Sequence, residues 1–400
     1  MAVAPTLADV RAAAAALRRV VYRTPLVRAG QLLGGERELY LKAENLQRTG
    51  SFKVRGAYNR IRQLSPRQKR RGVVTASAGN HAQGVALSAA AAGVTATIVM
   101  PRHAPLIKVT ATRALGAEVE LVGDTFEEAL AHAWDLCRQR GAAFVHAFDD
   151  PAVIAGQGTI GLEILADLPR TATVVVPIGG GGLIGGIGLA VKALRPDVRV
   201  IGVEPEGAAA AFAARRAGRL VPLERVATIA DGLAVKEPSP LTFSLIERYV
   251  DDIVLVSEDE IVRAIVTMLE RAKLLAEGAG AVGVAAVLAG KVPPAGDGET
   301  VVVVSGGNID INVMARMIER GLVQDGRYLR LRTLLADRPG SLHRLLGVVA
   351  AEGANIITVA HDRLNPGVAL GETEVQLVVE TRDRSHATDV VQALQRAGYN

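Results

Sequence analysis

The sequence predicts an α/β protein with two parallel-sheet domains, followed by a smaller α+β domain. Up to about residue 326, short continuous apolar runs alternate with helical patterns, whereas from residue 327 the strand patterns alternate in polarity. Continuous apolar strands separated by helices are typical of parallel sheets that are covered on both faces. Hydrophobic residues make up 49% of the chain and aromatic residues only 3%, which favours close packing of helices on sheets over a β-sandwich.

The elements of the first 326 residues begin with an Ala-rich helix, which Thr6 and Asp9 cap in a capping-box pattern. The strands that follow form two groups, around residues 72–123 and 173–307. They predict two α/β domains with a cleft between them, the smaller one, roughly 50–150, being inserted in the larger. The runs interpreted as strands are LYLKAE (39–44), GVVTAS (72–77), TATIVMP (95–101), EVELVG (118–123), TVVVPIG (173–179), VRVIGVE (198–204) and TVVVVSGG (300–307).

Residues 327–400 are predicted to form a separate unit with the element order β-α-β-β-α. A ferredoxin-like module needs one more strand after this order. The unit is therefore expected either to lack that strand or to continue it in residues beyond Asn400. The predicted domains are 1–326 and 327–400.

Composition and charge exclude several classes of partner. The net charge is +5, but the basic residues are dispersed and their longest cluster is Arg67–Arg71, so an anionic small ligand fits better than nucleic acid. The uncharged stretch 172–191 contains Pro177 and seven glycines, which argues against a membrane helix. A single cysteine excludes an internal disulfide and favours the cytoplasm.

A glycine-rich stretch follows the strand at 173–179, and seven of the ten residues from 179 to 188 are glycine. Ordered glycines are entropically unfavourable, and backbone amides between a strand and a helix can hold a phosphate. Gly180, Gly182 and Gly185, with Glu204 ending the next strand, also satisfy a dinucleotide fingerprint. Four consecutive glycines exceed that fingerprint, however, and a dinucleotide leaves Lys53 without a use.

Three further stretches carry chemistry. Lys53 lies in TGSFKVRG, and it is one of only eight lysines among 46 basic residues. Lysine can lose its proton and attack a carbonyl, which arginine cannot. SAGNHAQG (77–84) joins a strand to a helix, where free amides can hold a carboxylate, although helix capping by Asn80 and His81 explains this loop equally well. Ser305 ends the last strand predicted before residue 327. Together, Lys53, the glycine loop, the loop 77–84 and Ser305 suit an aldehyde–phosphate cofactor.

The motifs KAENLQRTGSFKVRGA, SAGNHAQG, GGGGL and SGGN, in this order and spacing up to about residue 320, resemble those of threonine dehydratases (threonine ammonia-lyases). These are pyridoxal-phosphate enzymes of the tryptophan-synthase-like fold, also called fold type II. In the tail, DRPGSL and EGANI are similar to an ACT domain, a small module that senses amino acids.

The resemblance implies roles for individual residues. Lys53 forms the Schiff base with pyridoxal 5′-phosphate, Phe52 packs beside it, Asn80 bonds the ring hydroxyl and Ser305 faces the pyridine nitrogen. The phosphate is held by Gly179, Gly180, Gly181, Gly182 and Leu183. The substrate carboxylate is held by the amides of Ser77, Ala78, Gly79, Asn80 and His81.

The implied reaction converts L-threonine to 2-oxobutanoate and ammonia, and L-serine to pyruvate, with a place in isoleucine biosynthesis. The tail is expected to bind a branched-chain amino acid near Gly340, with Asn355 beside it. It is also expected to pair with another subunit through GETEVQLVVET, left at a sheet edge, in a dimer or tetramer. Hydroxyaspartate ammonia-lyase, a nicotinamide-dependent oxidoreductase and a purely regulatory sensor remain as alternatives.

Two departures from relatives narrow the expectation. Serine racemases of this fold carry a second serine where this chain has Ala78, so racemisation is not expected. Relatives that bind a divalent cation carry an Asp where this chain has Ala210, so no metal site is predicted and Glu204 is only a weak candidate.

Overall fold

The computed structural model describes residues 3–35, 38–294, 296–364 and 367–399. The strands are β1 (Leu26–Arg28), β2 (Leu39–Ala43), β3 (Val73–Ala76), β4 (Ala96–Met100), β5 (Glu118–Leu121), β6 (Ala143–Phe144), β7 (Thr171–Pro177), β8 (Arg199–Pro205), β9 (Asp252–Val256), β10 (Glu299–Val304), β11 (Tyr328–Ala336), β12 (Asn355–Asp362) and β13 (Glu372–Glu380).

The helices of the described residues are α1 (Leu7–Leu17), α2 (Lys53–Arg62), α3 (Pro66–Arg71), α4 (Asn80–Ala91), α5 (Leu106–Ala114), α6 (Phe126–Arg140), α7 (Pro151–Asp167), α8 (Gly182–Leu194), α9 (Ala210–Ala217), α10 (Pro240–Tyr249), α11 (Glu258–Thr267), α12 (Gly278–Leu288), α13 (Ile311–Gln324), α14 (Ser341–Ala351) and α15 (Arg384–Arg396). α1 begins at the predicted capping box of Thr6 and Asp9.

The chain forms two compact units, one ending at Ile309 and the other beginning at Asp310. The helix α13 therefore belongs to the second unit, upstream of the predicted domain boundary at residue 326. The division into a catalytic region (1–326) and a regulatory domain (327–400) stays a prediction.

The larger sheet of the first unit has the strand order β1-β2-β10-β7-β8-β9. Its neighbours run parallel except β1, which is antiparallel to β2. Its strands are valine-rich, and Val174 and Val303 belong to a buried cluster with Ile184 and Ile187 of α8. The carboxyl ends of β7 and β10 consequently lead into the glycine loop and Ser305 at the same edge of the sheet.

The smaller sheet, β5-β4-β3-β6, is parallel throughout and lies in the chain between β2 and α7. A buried cluster of α2, α4 and β4 residues, including Ala57, Val85 and Ile98, packs on it. The predicted fold class of two parallel-sheet α/β domains is thus confirmed.

The strand predictions hold within two residues at each end, except that the run 300–307 extends three residues beyond the end of β10. β1, β6 and β9 were not predicted; β1 and β6 span only three and two residues, too short for a pattern to show. β5 was expected to be buried on both faces but is partly exposed, because it lies at the edge of its sheet. Within the described residues, no helix is both long and apolar enough to span a membrane.

The second unit contains the predicted order β-α-β-β-α after α13, and its sheet has the order β11-β13-β12. The expectation that GETEVQLVVET lies at an edge is wrong: β13 pairs with β11 on one side and β12 on the other. β11 and β12 run parallel to each other and are not adjacent. β13 lies between them and is antiparallel to both.

The expected place of Asn355 is also wrong. Asn355 and Tyr328 both pair with Glu380, so Asn355 lies where β11 begins, whereas Gly340 follows the other end of β11. His361 and Arg363, at the far end of β12, take the place expected for Asn355.

Candidate active site

Lys53 is the first residue of α2 and points its amine toward the segment that follows β6. Its Nζ donates a hydrogen bond to the carbonyl oxygen of Ala147 at 3.0 Å and lies 5.1 Å from the centre of the Phe52 ring. Burial lowers the pKa of Lys53 to about 8, while the charge of Glu277 acts in the opposite direction. A substantial fraction of this amine is therefore neutral near physiological pH, as a nucleophile requires.

The segment before Lys53 is held against the turn that follows β10. The amide of Phe52 donates to the Ser305 carbonyl at 3.1 Å, and the amide of Gly307 donates to the Gly50 carbonyl at 2.9 Å. Gly50 has φ +67, a left-handed conformation that glycine adopts without strain. These bonds place Lys53 and Ser305 beside each other.

The glycine loop connects β7 to α8, and Gly181 has φ +86. A Cβ on Gly180 would lie 2.2 Å from the Phe148 ring, and a Cβ on Gly182 would lie 2.9 Å from Phe148. The glycines therefore admit the Phe148 segment, whose neighbour Ala147 contacts Lys53. The first amides of α8 have no partner within the helix, which suits them to a phosphate.

Asn80 begins α4, and its side-chain amide has a defined orientation. Asn308 Nδ2 donates to Asn80 Oδ1 at 2.8 Å, while Asn80 Nδ2 donates to Glu277 Oε1 at 2.5 Å. Residues 77–80 are partly exposed at the carboxyl end of the buried β3. Within this turn, the Ser77 amide donates to the Val99 carbonyl at 3.1 Å and the Gly79 amide donates to Ser77 Oγ at 3.2 Å. The amides of Asn80 and His81, in the first turn of α4, have no partner within the helix and are the ones suited to a ligand.

His81 turns its side chain inward, away from that space. It is 4% exposed, and its Nε2 lies 2.9 Å from the Val145 carbonyl, to which it donates as the neutral tautomer. Burial first, and the charge of Lys53 second, lower the pKa of His81 to about 3. Only the backbone amide of His81 remains for the predicted contact with a substrate carboxylate.

Ser305 ends β10 and is 3% exposed. Its hydroxyl donates to the Ala279 carbonyl at 3.2 Å. The next residue, Gly306, adjoins Asn80: a Cβ there would lie 3.1 Å from Asn80 Nδ2. The hydroxyl and the Asn80 amide thus belong to one wall of the cleft.

The residues predicted from sequence form a connected set of the kind that pyridoxal phosphate needs. From Lys53, contacts run through Ala147 and Phe148 to the glycine loop, and through Phe52 to Ser305 and Asn80. The amine of Lys53 can react with the aldehyde of the cofactor, and the free amides at the start of α8 can hold its phosphate. The side-chain amide of Asn80 suits the ring oxygen, and the hydroxyl of Ser305 suits the ring nitrogen. Among the described atoms, the buried hydroxyls of Thr49 and Ser51 also have no hydrogen-bond partner, which leaves donors for a ligand.

Comparison with known proteins also indicates an enzyme that depends on pyridoxal phosphate. Residues 17–307 match the family described as pyridoxal-phosphate dependent enzymes. The chain belongs to this family. It is 52% identical to the L-threonine ammonia-lyase of Thermotoga maritima, over 98% of each chain.

Two solved structures share the fold. The processed threonine deaminase isoform 2 of Solanum lycopersicum has a TM-score of 0.75 at 40% identity, over 78% of this chain and 93% of that one. A maize serine racemase has a TM-score of 0.75 at 35% identity, over 80% of this chain and 99% of that one.

Family membership removes the nicotinamide interpretation of the glycine loop, and Glu204 has another role. Its two carboxylate oxygens accept hydrogen bonds from the amides of Ala211 and Phe212, at 2.9 and 2.8 Å, at the start of α9. Burial raises the pKa of Glu204 to about 7, against the effect of these bonds. Among the residues that the structure describes, no three His, Cys, Asp or Glu side chains gather as metal ligands.

Sequence reasoning missed three contributors to the site: Glu277, the Ala147–Phe148 segment, and Asn308. A signal existed for Glu277, the one charged residue between Lys273 and Lys291. Phe148 and Ala147 carry no such signal, because their contacts depend on how the segment after β6 crosses the cleft.

Proposed function

We propose that this protein is a pyridoxal-phosphate-dependent threonine ammonia-lyase, which converts L-threonine to 2-oxobutanoate and ammonia, and L-serine to pyruvate. The observation that carries the proposal is the set of contacts around the Lys53 amine, which joins the glycine loop, Asn80 and Ser305. The similarity to a full-length relative named L-threonine ammonia-lyase supports the substrate.

Each group has a part in this reaction. When bound, the cofactor supplies an electron sink next to the substrate α-carbon. The amine of Lys53, whose pKa burial lowers to about 8, takes the α-proton as a general base. The amides of Asn80 and His81, at the start of α4, hold the substrate carboxylate, because the Ser77 amide is bonded to the Val99 carbonyl of the sheet. The side chain of Asn80 donates to the ring oxygen of the cofactor.

Ser305 directs the outcome toward elimination. Its hydroxyl is neutral and has one hydrogen, which donates to the Ala279 carbonyl at 3.2 Å and can rotate to donate to an unprotonated ring nitrogen when the cofactor is bound. A neutral partner does not hold the ring nitrogen protonated, so the electron sink is weaker than with a carboxylate. Loss of the β-hydroxyl is then favoured over reactions that need a long-lived carbanion.

Ala78 argues against racemisation in spite of the structural similarity to a serine racemase. A methyl group cannot deliver a proton to the face of the substrate opposite Lys53. Chiral analysis of L-serine recovered after long incubation should find no D-serine beyond a control without enzyme. Accumulation of D-serine would show that another group supplies the proton.

The test of the proposed function is reduction and substitution at Lys53. Borohydride reduction of the loaded enzyme should attach the cofactor to Lys53, and Lys53→Ala should lower kcat by at least about 10³-fold. Lys69→Ala, a lysine on α3, is the matched control and should keep full activity. Comparison of threonine, serine and hydroxyaspartate as substrates then separates this proposal from the hydroxyaspartate alternative.

We also propose that the tail is an ACT-like regulatory domain that binds a branched-chain amino acid. In the second unit, a cavity of about 300 Å³ adjoins the turn between β11 and α14. Asp337 offers an anion for the ligand ammonium, and Arg338 and the start of α14 offer donors for its carboxylate. Asp337 is paired with Arg363 at 3.0 Å, which a ligand ammonium would compete with.

The same unit supports assembly into a dimer or tetramer. In the described chain β11 and β12 are the outer strands of the sheet, and unpaired edges favour pairing with another chain. Each outer strand carries a partly exposed apolar side chain for such a contact: Leu334 of β11 is 50% exposed and Val359 of β12 is 40% exposed. Sedimentation of the full chain and of a version ending at residue 326 would test whether the tail drives assembly.

The proposed reaction belongs in the cytoplasm, within isoleucine biosynthesis. The only cysteine, Cys137, is buried in α6, and burial raises the pKa of its thiol. It is therefore an unreactive free thiol, which suits a reducing compartment. Feedback by a branched-chain product at the cavity of the second unit would suit a biosynthetic enzyme.

A further inference from the structure

Glu277 lies in the candidate site and has no part in the proposed reaction. It occupies the N-cap position of α12, but its carboxylate does not cap this helix. Instead Oε1 accepts a hydrogen bond from Asn80 Nδ2 at 2.5 Å, across 197 positions of sequence. A carboxylate that leaves its own helix for a predicted cofactor contact points to a function at that contact.

The hydrogen bonds around Asn80 fix which atoms of its amide face the cavity. Asn308 Nδ2 donates to Asn80 Oδ1 at 2.8 Å and to the Thr49 carbonyl at 2.7 Å, so Asn308 is itself held in place. Asn80 Nδ2 gives one hydrogen to Glu277, which leaves its second hydrogen for a ligand. Without Glu277, the amide would lose the acceptor that sets this orientation.

The backbone is shaped to admit the carboxylate. A Cβ on Gly306 would lie 2.3 Å from Glu277 Oε1, and the Glu277 amide donates to the Gly306 carbonyl at 3.1 Å. Gly306 follows Ser305, so the carboxylate is packed against the strand end that carries the predicted ring-nitrogen contact.

Charged groups from three other segments face Glu277. Lys108 of α5 and Lys53 of α2 attract its negative charge, and Asp231 opposes it. Desolvation is the largest influence and raises the pKa of Glu277 to about 7. Glu277 in turn raises the pKa of Lys53, against the larger effect of burial.

We propose that Glu277 is a positioning residue of the cofactor site, whose carboxylate fixes the orientation of the Asn80 amide. The inference rests on the proposed function, since it takes Asn80 and Lys53 to be the groups that meet the cofactor. Glu277 acts through these two residues and takes no proton from the substrate.

A second effect of Glu277, that of its negative charge on the protonation of Lys53, is tested on the cofactor-free protein. Lys53 is labelled with acetic anhydride over a range of pH, and the labelled peptide is quantified by mass spectrometry. Glu277→Gln keeps the shape of the side chain and an acceptor for Asn80 but removes the charge. Its labelling midpoint should fall by about half a pH unit to one unit relative to wild type. The exposed Glu224 gives the matched control Glu224→Gln, which should leave the midpoint unchanged. An unchanged midpoint in Glu277→Gln would overturn the charge role.

The orienting effect is tested by direct titration of cofactor binding. Glu277→Gln should bind within about threefold of wild type, because its amide oxygen still accepts from Asn80. Glu277→Ala removes the acceptor that sets the orientation of the Asn80 amide, and we expect roughly tenfold weaker binding of the cofactor, which corresponds to about 1.4 kcal/mol. Equal affinity of wild type and Glu277→Ala, or tenfold loss in Glu277→Gln with its midpoint unmoved, would overturn the orienting role.

The outcomes separate this inference from the proposed function. If borohydride attaches the cofactor to another lysine, the proposed function fails whatever the labelling midpoint does. If the cofactor is attached to Lys53 but the two Glu277 variants behave as wild type, the lyase assignment stands and the role of Glu277 fails.

Discussion

At the scale of single residues, the properties of Lys53 come from its surroundings. The bond to Ala147 and the contact with the Phe52 ring enclose an amine that in water would be almost wholly protonated at neutral pH. Burial disfavours the charged form, and the nearby Glu277 limits the effect. The site therefore holds a lysine that is ready to react and still charged in part.

This predicts how capture of pyridoxal phosphate by the cofactor-free protein depends on pH. Only the neutral amine attacks the aldehyde, so the rate should rise about tenfold per unit below pH 8 and level off above it. Stopped-flow absorbance measures this rate, and Lys53→Ala, which should show no such phase, is the control. A rate that still rises beyond pH 9.5 would mean that Lys53 keeps an ordinary pKa.

Ser305 carries the second prediction at this scale. Ser305→Asp places a carboxylate where the ring nitrogen is expected, and a carboxylate favours its protonated form. Formation of 2-oxobutanoate should slow, and conversion of the cofactor to its amine form should become measurable. Ser305→Ala, which adds no charge, should leave the ratio of these products as in wild type. The same ratio in Ser305→Asp would show that Ser305 does not contact the nitrogen.

At the scale of elements, the glycine loop and the segment after β6 depend on each other. Phe148 fills the space beside Gly180 and Gly182, and the Ala147 carbonyl next to it receives the Lys53 amine. The glycines are thus required by a protein contact as well as by a phosphate, and a change in the loop is transmitted to Lys53.

Substitution of Gly180 tests that coupling. In Gly180→Ala the new Cβ would lie 2.2 Å from the Phe148 ring, so the segment must shift. We expect a loss of about 1–3 kcal/mol in the free energy of unfolding and weaker cofactor binding. Phe148→Leu in the Gly180→Ala background should recover part of both, as seen by thermal unfolding and titration. Gly347→Ala in α14, where the new Cβ would meet no other part of the protein within 4 Å, should instead stabilise by about 0.5–1 kcal/mol.

The helix α2, which begins at Lys53, is also held by a buried ion cluster. Arg55 Nε donates to Glu44 at 2.8 Å and Arg55 Nη1 to Glu163 at 2.6 Å, while Lys42 donates to Glu163 at 2.6 Å. Burial alone would raise the pKa of Glu44, but Arg55 and Lys42 bring it below its usual value. The cluster joins α2 to β2 and α7, which fixes where Lys53 begins.

Removal of Arg55 should be strongly destabilising. Arg55→Leu leaves buried carboxylates without their main partner, and we expect a loss of about 3–5 kcal/mol in denaturant unfolding at neutral pH. Arg67→Leu, at an exposed position of α3, should change stability by no more than about 0.5 kcal/mol.

The sign of the pH dependence gives a second readout for Arg55. Because the folded pKa of Glu44 is lowered, its contribution in wild type is present above the unfolded pKa and is lost as the pH falls through the folded one. Without Arg55, burial raises that pKa, so the variant should regain stability as the pH falls. A variant that weakens in acid as wild type does would show that Glu44 does not depend on Arg55.

At the scale of the whole molecule, the chain separates chemistry from the proposed regulation. The residues of the candidate active site precede Asp310, and the cavity proposed for an effector is lined by residues of the second unit. The cofactor contacts are therefore available without the tail.

A version of the protein that ends at residue 326 should keep its turnover of threonine and lose its response to isoleucine, valine and leucine. A sensor must bind its ligand more tightly in one activity state, so the effector should shift the threonine saturation curve of the full chain. Calorimetry and steady-state kinetics on both versions measure this. No binding to the full chain, together with unaltered kinetics, would leave assembly as the role of the tail.

The sequence by itself determined the local parts of this protein. Valine-rich runs predicted the parallel sheets, the seven glycines between 179 and 188 predicted a phosphate loop, and Lys53 stood out in its Gly-Ser-Phe setting. Each of these features can be predicted from sequence because its physical cause lies in neighbouring residues. The cause is burial for the strands, close approach of the backbone for the glycines and the need for deprotonation for Lys53.

Only the tertiary structure decided which distant groups meet. Asn80 and Glu277 are 197 positions apart and Lys53 and Ala147 are 94 apart, and no periodicity in the sequence reports such contacts. The same holds for β13, whose central place in its sheet depends on the gap between two parallel strands, and for Asn355, which that arrangement places far from Gly340. Side chains that meet across a cleft are selected by packing of whole elements, so the pKa of Lys53 and the orientation of Asn80 are properties of the fold.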